Sequence, residues 1–411
     1  MILTEITDDL TGAADSGSYF TARAQRLKIC ISGDSNLSRD NYDILSINLS
    51  SRNVKPDKAR SLHYELCRRL PQAEDQVFMK KIGTGFRGND AYELEGLLNA
   101  YKDYLVFIVD NAPELGTFTL YGHQYCEGQI LHKSVYANDP IMPPTKSYIP
   151  EILGADTSFK IGLVGIDAVK GGDLLEKTQE EIASGARIII FDAITKEDTY
   201  KIISTLFPYY PKVFWTGSLG IADGLSQYLF GDKCCINQEK SRSVRCLGFC
   251  ASAYDIARRQ IAYSQERGMK LVEIDIDSYI DGDTEVPQKT AEAVLALGIC
   301  ENLMLAPRVE KYSYVKGTSS KILECIHTLA VLLCDKLDFD RLVIVGGETS
   351  QEIFRAIGVE HLELGLQIDA GIAQGKILDG ILAGKEFALK GGSMGREDAL
   401  EKMMCRYEEE S

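Results

Sequence analysis

The segment Gln76–Leu98, QVFMKKIGTGFRGNDAYELEGLL, sets an apparent strand, a glycine-bearing loop and an apparent helix end to end. The same succession recurs along the chain. Short apolar runs, MILTEI, LKICIS, YDILSINL, YLVFIVD, KIGLVG, ARIIIFDA and KVFWTG, alternate with helical patterns, and their hydrophobicity is continuous rather than alternating. Strands covered on both faces need that continuity, so the fold class is α/β with mainly parallel sheets. In PDKARSLHYELCRRL, Ala59, Leu62, Leu66 and Leu70 share one helical face, and Pro56 stands near the first turn.

A polar, apolar-poor stretch, Gly231–Arg245 (GDKCCINQEKSRSVR), interrupts this rhythm. Beyond it CLGFCAS and KLVEIDI read as strands, and SSKILECIHTLAVLLCDKL reads as a long helix with Ile322, Leu323, Ile326, Leu329, Ala330 and Leu333 inward. RLVIVGGETSQEIFRAIG then gives a strand, a tight turn and a helix. The interruption marks a boundary between two domains, residues 1–232 and 245–411, expected as two α/β domains facing a shared cleft. The last residues, ending EEES, read as a frayed acidic tail.

The 411 residues are 45% apolar and 26% charged, which are globular proportions. A net charge of −15 with no basic run argues against nucleic acid as a partner. No charged leader precedes an apolar core, and no uninterrupted apolar segment reaches about 18 residues, so a cytoplasmic protein without membrane partners is expected. Eleven cysteines include no C-x-x-C pair, and most sit within apolar periodic segments, as reduced core thiols do. Five scattered histidines offer no zinc spacing, and His63 and His327 fall in helical patterns where a structural role suits them.

Gly83-Thr84-Gly85-Phe86-Arg87-Gly88 spells G-x-G-x-x-G, and Asp110 closes the next strand where a ribose-binding acid would be sought. A dinucleotide loop, however, needs bare backbone against a pyrophosphate. Here Lys80, Lys81 and Arg87 place bulky cations on and beside the turn, and the motif arrives far from the first strand of its sheet. No G-x-x-x-x-G-K-[ST] occurs either: Gly375-Lys376 precedes Ile377, and Gly384-Lys385 precedes Glu386. The cations suit an anion gripped by side chains.

Three loops could build such a site. The first strand ends in TDDLTGAAD, where Asp8 and Asp9 precede a possible helix start; either could cap that helix, accept a hydroxyl proton or hold a metal. In the second loop Lys81 and Arg87 are candidates for a carboxylate, with Arg52 a third cation just past YDILSINL. The third, VIVGGETSQE, offers glycine amides ahead of a helix N-terminus for phosphate oxygens, although Thr349 with Glu352 also matches a capping box. LKGGSMG, Leu389–Gly395, supplies a further glycine turn.

The order of these motifs resembles the four-carbon acid sugar kinase family, over nearly the whole chain. TDDLTGAAD matches its D-D-x-T-G-A opening; KKIGTGFRGN resembles K-x-D-S-T-L-R-G-N; FDAITKED, TGSLGIADGL, GGETS and LKGGSMG resemble its D-A-x-x-x-x-D, G-S-x-G-L-A, G-G-D-T and K-x-G-G-F-G segments. The resemblance implies an enzyme that uses ATP and Mg²⁺ to phosphorylate threonate, erythronate or 3-oxo-tetronate. Residues 1–232 would hold the sugar acid and 245–411 the ATP. It makes Asp8 and Asp9 catalytic, without choosing between them, and Arg52, Lys81, Arg87 and Gly88 substrate-binding. Ser252, Gly346, Gly347, Glu348, Thr349, Gly391 and Gly392 would bind ATP, with no resident metal ligand. Monomer or homodimer is left open.

This chain also departs from the family pattern. Gly83-Thr84-Gly85 stands where Asp-Ser-Thr is usual, Ser50 replaces an Asp, Gly116-Thr117-Phe118-Thr119 lacks an Arg, and Ala251 replaces a glycine. All but the last fall in the expected substrate domain. They leave a second reading beside the kinase: a relative that binds nucleotide or another polyhydroxy anion without sugar-acid kinase activity. An NAD-dependent oxidoreductase is a minor third.

Overall fold

The computed structural model describes residues 2–70, 75–138, 142–233, 238–252, 254–298, 302–312, 315 and 317–409. They form two compact units, Met1–Leu27 with Ser32–Cys234, and Lys28–Ile31 with Cys235–Ser411.

The first stretch of chain carries strands β1 Ile2–Thr7, β2 Leu27–Cys30, β3 Ile44–Asn48, β4 Gln76–Lys81, β5 Leu105–Val109, β6 Thr117–Leu120, β7 His123–Cys126, β8 Gln129–Ile130, β9 Ile161–Val164, β10 Ile188–Phe191 and β11 Val213–Gly217. Its helices are α1 Leu10–Thr21, α2 Pro56–Arg69, α3 Asp90–Ala100, α4 Ile149–Gly154, α5 Ile166–Gly171, α6 Leu174–Ala183, α7 Lys196–Leu206 and α8 Leu219–Phe230. The main sheet runs β3-β1-β4-β11-β5-β10-β9, and every pair is parallel. Each apolar run of the sequence became one of these strands, and β3, β4, β10 and β11 are buried along their whole length. Burial on both faces is what continuous hydrophobicity requires. The antiparallel β6-β7-β8 sheet carries no such run and escaped the sequence reading.

The second stretch carries β12 Gln238–Ser243, β13 Cys246–Cys250, β14 Lys270–Asp275, β15 Leu303–Arg308, β16 Arg341–Val345, β17 His361–Leu364, β18 Ile372–Ile377, β19 Glu386–Lys390 and β20 Cys405–Glu409. Its helices are α9 Asp255–Gln265, α10 Ile276–Ile280, α11 Val286–Leu297, α12 Thr318–Leu333, α13 Gly347–Ala356 and α14 Ala399–Met403. Here β14-β15-β13-β16-β19 is parallel, and β18 and β17 continue the sheet antiparallel. Lys28–Ile31 groups with this unit, where the Ile31 N–H donates to Glu360 O at 2.9 Å.

Three expectations change. Residues 234–237 of the polar boundary stretch lie outside the described residues, but 238–243 form β12, and the supposedly frayed tail forms β20 against it. Two polar ribbons of this kind lack the apolar pattern by which a strand is recognised. In α12 the buried set is Cys325, Ile326, Leu329, Ala330 and Leu333, whereas Ile322 and Leu323 are half-buried one turn too early. The described cysteines are buried.

Candidate functional site

In the first unit β1, β3 and β4 are adjacent and parallel, so their C-terminal ends bring the loops after Thr7, Asn48 and Lys81 together. Ligands of open α/β sheets gather at such edges. Asp9 is the N-cap of α1: its carboxylate accepts from the Gly12 N–H at 2.8 Å and from the Thr11 hydroxyl at 2.9 Å. Asp8, beside it, is 1% exposed.

One guanidinium serves both acids. Arg52 Nε and Nη2 donate to the two oxygens of Asp8 at 2.7 and 3.1 Å, and Nη1 donates to Asp9 Oδ2 at 2.8 Å. Burial alone would raise the Asp8 carboxyl. Arg52, with Lys80 and Lys81 behind it, overrides burial and holds that carboxyl well below the usual range. One guanidinium thus bridges the two adjacent carboxylates.

Arg52 also explains Gly83. A Cβ there would lie 3.2 and 3.4 Å from Arg52 Nη2 and Nε, so the guanidinium occupies the space a larger side chain would need. Gly88 closes the other side, where a Cβ would lie 3.6 Å from Arg52 Cγ and 3.7 Å from Asp8 Oδ2.

The two lysines of β4 part company, because successive strand residues face opposite sides. Lys80 ion-pairs with Glu93 of α3 at 2.6 Å, both fully buried, and Glu93 accepts from the Ser51 hydroxyl at 2.5 Å. Lys80 is therefore structural. Lys81 faces α1, where a Cβ on Gly12 would lie 3.7 Å from its Nζ. It is 4% exposed, and its ammonium donates to Ile82 O at 2.6 Å without pairing to any carboxylate among the described residues. Arg87 lies over the Tyr136 ring, 4.5 Å from its centroid, with Nε donating to Thr84 O at 3.0 Å.

Sequence reasoning missed the supports. Asn89 reads as a helix cap, yet its amide makes no cap bond and instead donates to Ser51 O, Arg52 O and Val54 O at 2.8, 3.2 and 2.9 Å, clamping the turn that carries Arg52. Glu5, a lone acid in an apolar strand, did carry a signal. It is fully buried, donated to by the Ser16 hydroxyl, and burial raises its carboxyl to about 7. Asp15 passed unnoticed inside TDDLTGAAD; burial likewise raises it to about 7, against the pull of Lys81. Asp110, considered for a ribose, accepts the Ser218 N–H at 2.8 Å and is fully buried.

In the second unit β13, β16 and β19 are neighbours. Their ends bring Ser252, Gly346 and Lys390-Gly391-Gly392 to one edge. Gly346 adopts φ +118° and its N–H donates to Lys390 O at 2.9 Å. Helix α13 begins at Gly347, so Thr349 lies inside it and the Thr349–Glu352 capping box does not form; no side chain caps this helix, and Glu352 pairs with His327 at 2.6 Å. Gly347, Glu348 and Thr349 thus constitute an uncapped first turn, the arrangement that receives anions. A Cβ on Gly392 would collide with the Ser252 hydroxyl and come within 3.1 Å of Ser252 Cβ. Lys390 is 1% exposed, donates to Gly391 O and Met394 O at 3.1 and 3.0 Å, and is lowered by burial to about 8. It shapes the glycine turn from within.

No group of three or more His, Cys, Asp and Glu side chains among the described residues could hold a metal ion, and Arg52 already bridges Asp8 and Asp9. Mg²⁺ is commonly bound through substrate phosphates rather than by an all-protein cage.

These features define a two-unit α/β protein with a cluster of cations and carboxylates at one sheet edge of the first unit and glycine turns at a sheet edge of the second. A sugar-binding N-terminal domain family matches residues 3–225, and a nucleotide-binding C-terminal domain family matches 247–400. The chain belongs to the four-carbon acid sugar kinase family. It is 25% identical to the D-threonate kinase of Salmonella typhimurium over 97% of this chain and 98% of that protein. It is 26% identical to a 3-oxo-tetronate kinase of Burkholderia multivorans, over 97% and 96%, and 22% to the D-erythronate kinase of Heliobacterium modesticaldum, over 96% and 94%. A solved Haemophilus influenzae protein shares the fold, with TM-score 0.74 and 21% identity over 97% of this chain and 98% of that one. Among the described residues no helix is long and apolar enough to cross a membrane.

Proposed function

We propose that this chain is an ATP-dependent kinase that phosphorylates a hydroxyl of a small sugar acid of the threonate, erythronate or 3-oxo-tetronate type, acting in the cytoplasm. The observation that carries the reading is Lys81: an ammonium 4% exposed, without a carboxylate partner among the described residues, in a protein of net charge −15. A buried charge left alone is costly, and a carboxylate ligand relieves that cost. Arg52, spent on Asp8 and Asp9, offsets their negative charge at the same edge. Residues 1–232 take the acid and 245–411 the nucleotide, whose phosphates lie on the Gly346–Thr349 turn and beside Gly391 and Gly392. Arg87 and Gly88 line the substrate side.

Phosphoryl transfer asks a protein mainly for positioning and charge neutralisation. Mg²⁺ accompanies the triphosphate and neutralises its charge. Asp8 and Asp9 contribute by holding Arg52. A coupled ADP-release assay across the three acids tests the reading: turnover with at least one is expected, and its absence with all of them rejects it.

Gly83 favours a second reading, in which the altered loop binds a different polyhydroxy anion without transfer. Acid binding by calorimetry together with a silent ADP assay would select it. Light scattering decides between monomer and homodimer.

A further inference from the structure

The kinase reading leaves one chemical role unfilled, because the acceptor hydroxyl must lose its proton to some base. Asp8 and Asp9 are poorly suited to take it. Both Asp8 oxygens and Asp9 Oδ2 receive Arg52, and Asp9 Oδ1 receives the Gly12 N–H. A carboxylate whose oxygens are taken up in this way is a poor proton acceptor, and against its burial Arg52 also holds Asp8 well below its usual titration range.

We propose that Asp15 is the general base of this enzyme. Gly12 and Asp15 stand three residues apart on α1 and so share a face. Gly12 marks that face as the one turned to Asp9 and Lys81, the two groups its Cβ would meet. Asp15 is half-buried, and its carboxylate has neither a hydrogen-bond nor an ion-pair partner among the described residues. Asp90 at the start of α3 also lacks a side-chain partner among the described residues, but it is 4% exposed, whereas half-buried Asp15 is open to a ligand.

The charges around it suit the task. Lys81 from β4 and Arg52 from the β3–α2 loop stabilise the ionised form, while burial and the Asp9 charge oppose it, leaving the carboxyl at about 7. Tyr19 lies one turn further along α1. Of the elements packed on α1, β1 brings Glu5, which is bonded to Ser16, and α8 brings Asp223, which is paired with Arg23. A base that titrates near the working pH combines availability with driving force.

In the step, the O–H bond of the sugar acid breaks and its proton passes to Asp15. The freed oxygen bonds to the γ-phosphorus of ATP as the bond from that phosphorus to the β–γ bridging oxygen breaks, and ADP leaves with that electron pair. Lys81, held by the acid's carboxylate, keeps the acceptor on the Asp15 face.

The proposal rests on the kinase reading, and its test separates the two. Full-length wild type and Asp15→Asn are assayed for ADP release with D-threonate, D-erythronate and 3-oxo-tetronate between pH 5.5 and about 9, alongside thermal melts. The expected result is a kcat lower by about 10²–10⁴-fold in D15N, an unchanged KM for ATP, and loss of the acidic limb that wild-type kcat/KM shows near pH 7. The melting temperature at pH 8 should be equal or higher, because an acid raised by burial is a liability once ionised. An active wild type whose D15N variant keeps kcat within about threefold, or keeps the acidic limb, overturns the assignment of Asp15 alone. A D15N variant that melts lower at pH 8, with activity lost in proportion, also overturns it, since the residue is then structural. A wild type silent with every acid removes the kinase reading and this proposal together.

Discussion

Arg52 is the residue on which the first unit's edge turns. Its three donors reach both acids of TDDLTGAAD, and its guanidinium occupies the space above Gly83. Removing it leaves Asp8, 1% exposed, as an uncompensated buried charge, so Arg52→Ala is expected to cost about 3–5 kcal/mol of stability in urea denaturation. Arg52→Lys keeps the charge but loses the fork, and should recover less than half of that loss. Equal stability of Arg52→Ala and wild type would show the pair to be energetically idle. The sequence named Asp8, Asp9 and Arg52 as neighbours at one edge. It could not say that they neutralise one another, because that depends on contacts across 44 and 43 residues.

At the scale of elements, α3 and α13 do different work with their N-termini. Asn89 at the start of α3 spends its amide on three carbonyls of the Ser51–Val54 turn, so this helix locks the loop carrying Arg52. Asn89→Ala should cost about 2–3 kcal/mol and raise the KM for the sugar acid at least tenfold, with the KM for ATP unchanged; steady-state kinetics with each substrate varied in turn decide it. Helix α13 instead leaves its first turn without a side-chain cap, facing the edge that carries Ser252, Gly391 and Gly392. At Gly392 even a methyl group meets the Ser252 hydroxyl. Gly392→Ala is therefore expected to weaken nucleotide binding at least tenfold in calorimetric titration while leaving acid binding intact. An unchanged nucleotide affinity would remove this turn from the proposed site. The capping box expected at Thr349 failed for a plain reason: the helix starts three residues earlier than that box requires, at Gly347 with Gly346 as its N-cap, and a match of residue types does not fix where a helix begins.

At the scale of the whole molecule, two buried groups give stability opposite slopes with pH. Glu5, raised by burial from 4.5 to about 7, holds its proton longer in the folded state, so its contribution falls as pH climbs through that window. His63, lowered by burial from 6.5 to about 4, binds its proton more readily when unfolded, so its contribution is full above 6.5 and is lost towards 4. The two oppose each other up to about 6.5, and above it the Glu5 slope remains, joined by that of Asp15, which burial also raises to about 7. Glu5→Gln should match wild type below pH 4.5 and exceed it by up to about 3 kcal/mol above pH 7. Chemical denaturation at pH 4, 6 and 8 reads the difference, and a constant offset would refute the assigned titration.

Sequence by itself determined the α/β class, the strands of the first main sheet, β13, β14 and β16 of the second, and the loops that meet at their edges. Continuous apolar runs and glycine turns are local signals, and parallel strands carry their C-terminal loops to one edge whatever the details. The short antiparallel sheet and the β12–β20 ribbon stayed hidden because no local apolar pattern marks them. Tertiary structure alone decided which charges are spent and which are free. Lys80 and Lys81 are adjacent and chemically identical, yet one is neutralised by Glu93 and the other is unpaired among the described residues, because neighbouring strand residues face different helices. Asp8, Asp9 and Asp15 diverge for the same reason: a carboxylate's role is set by the partners the fold brings to it, and those lie far away along the chain.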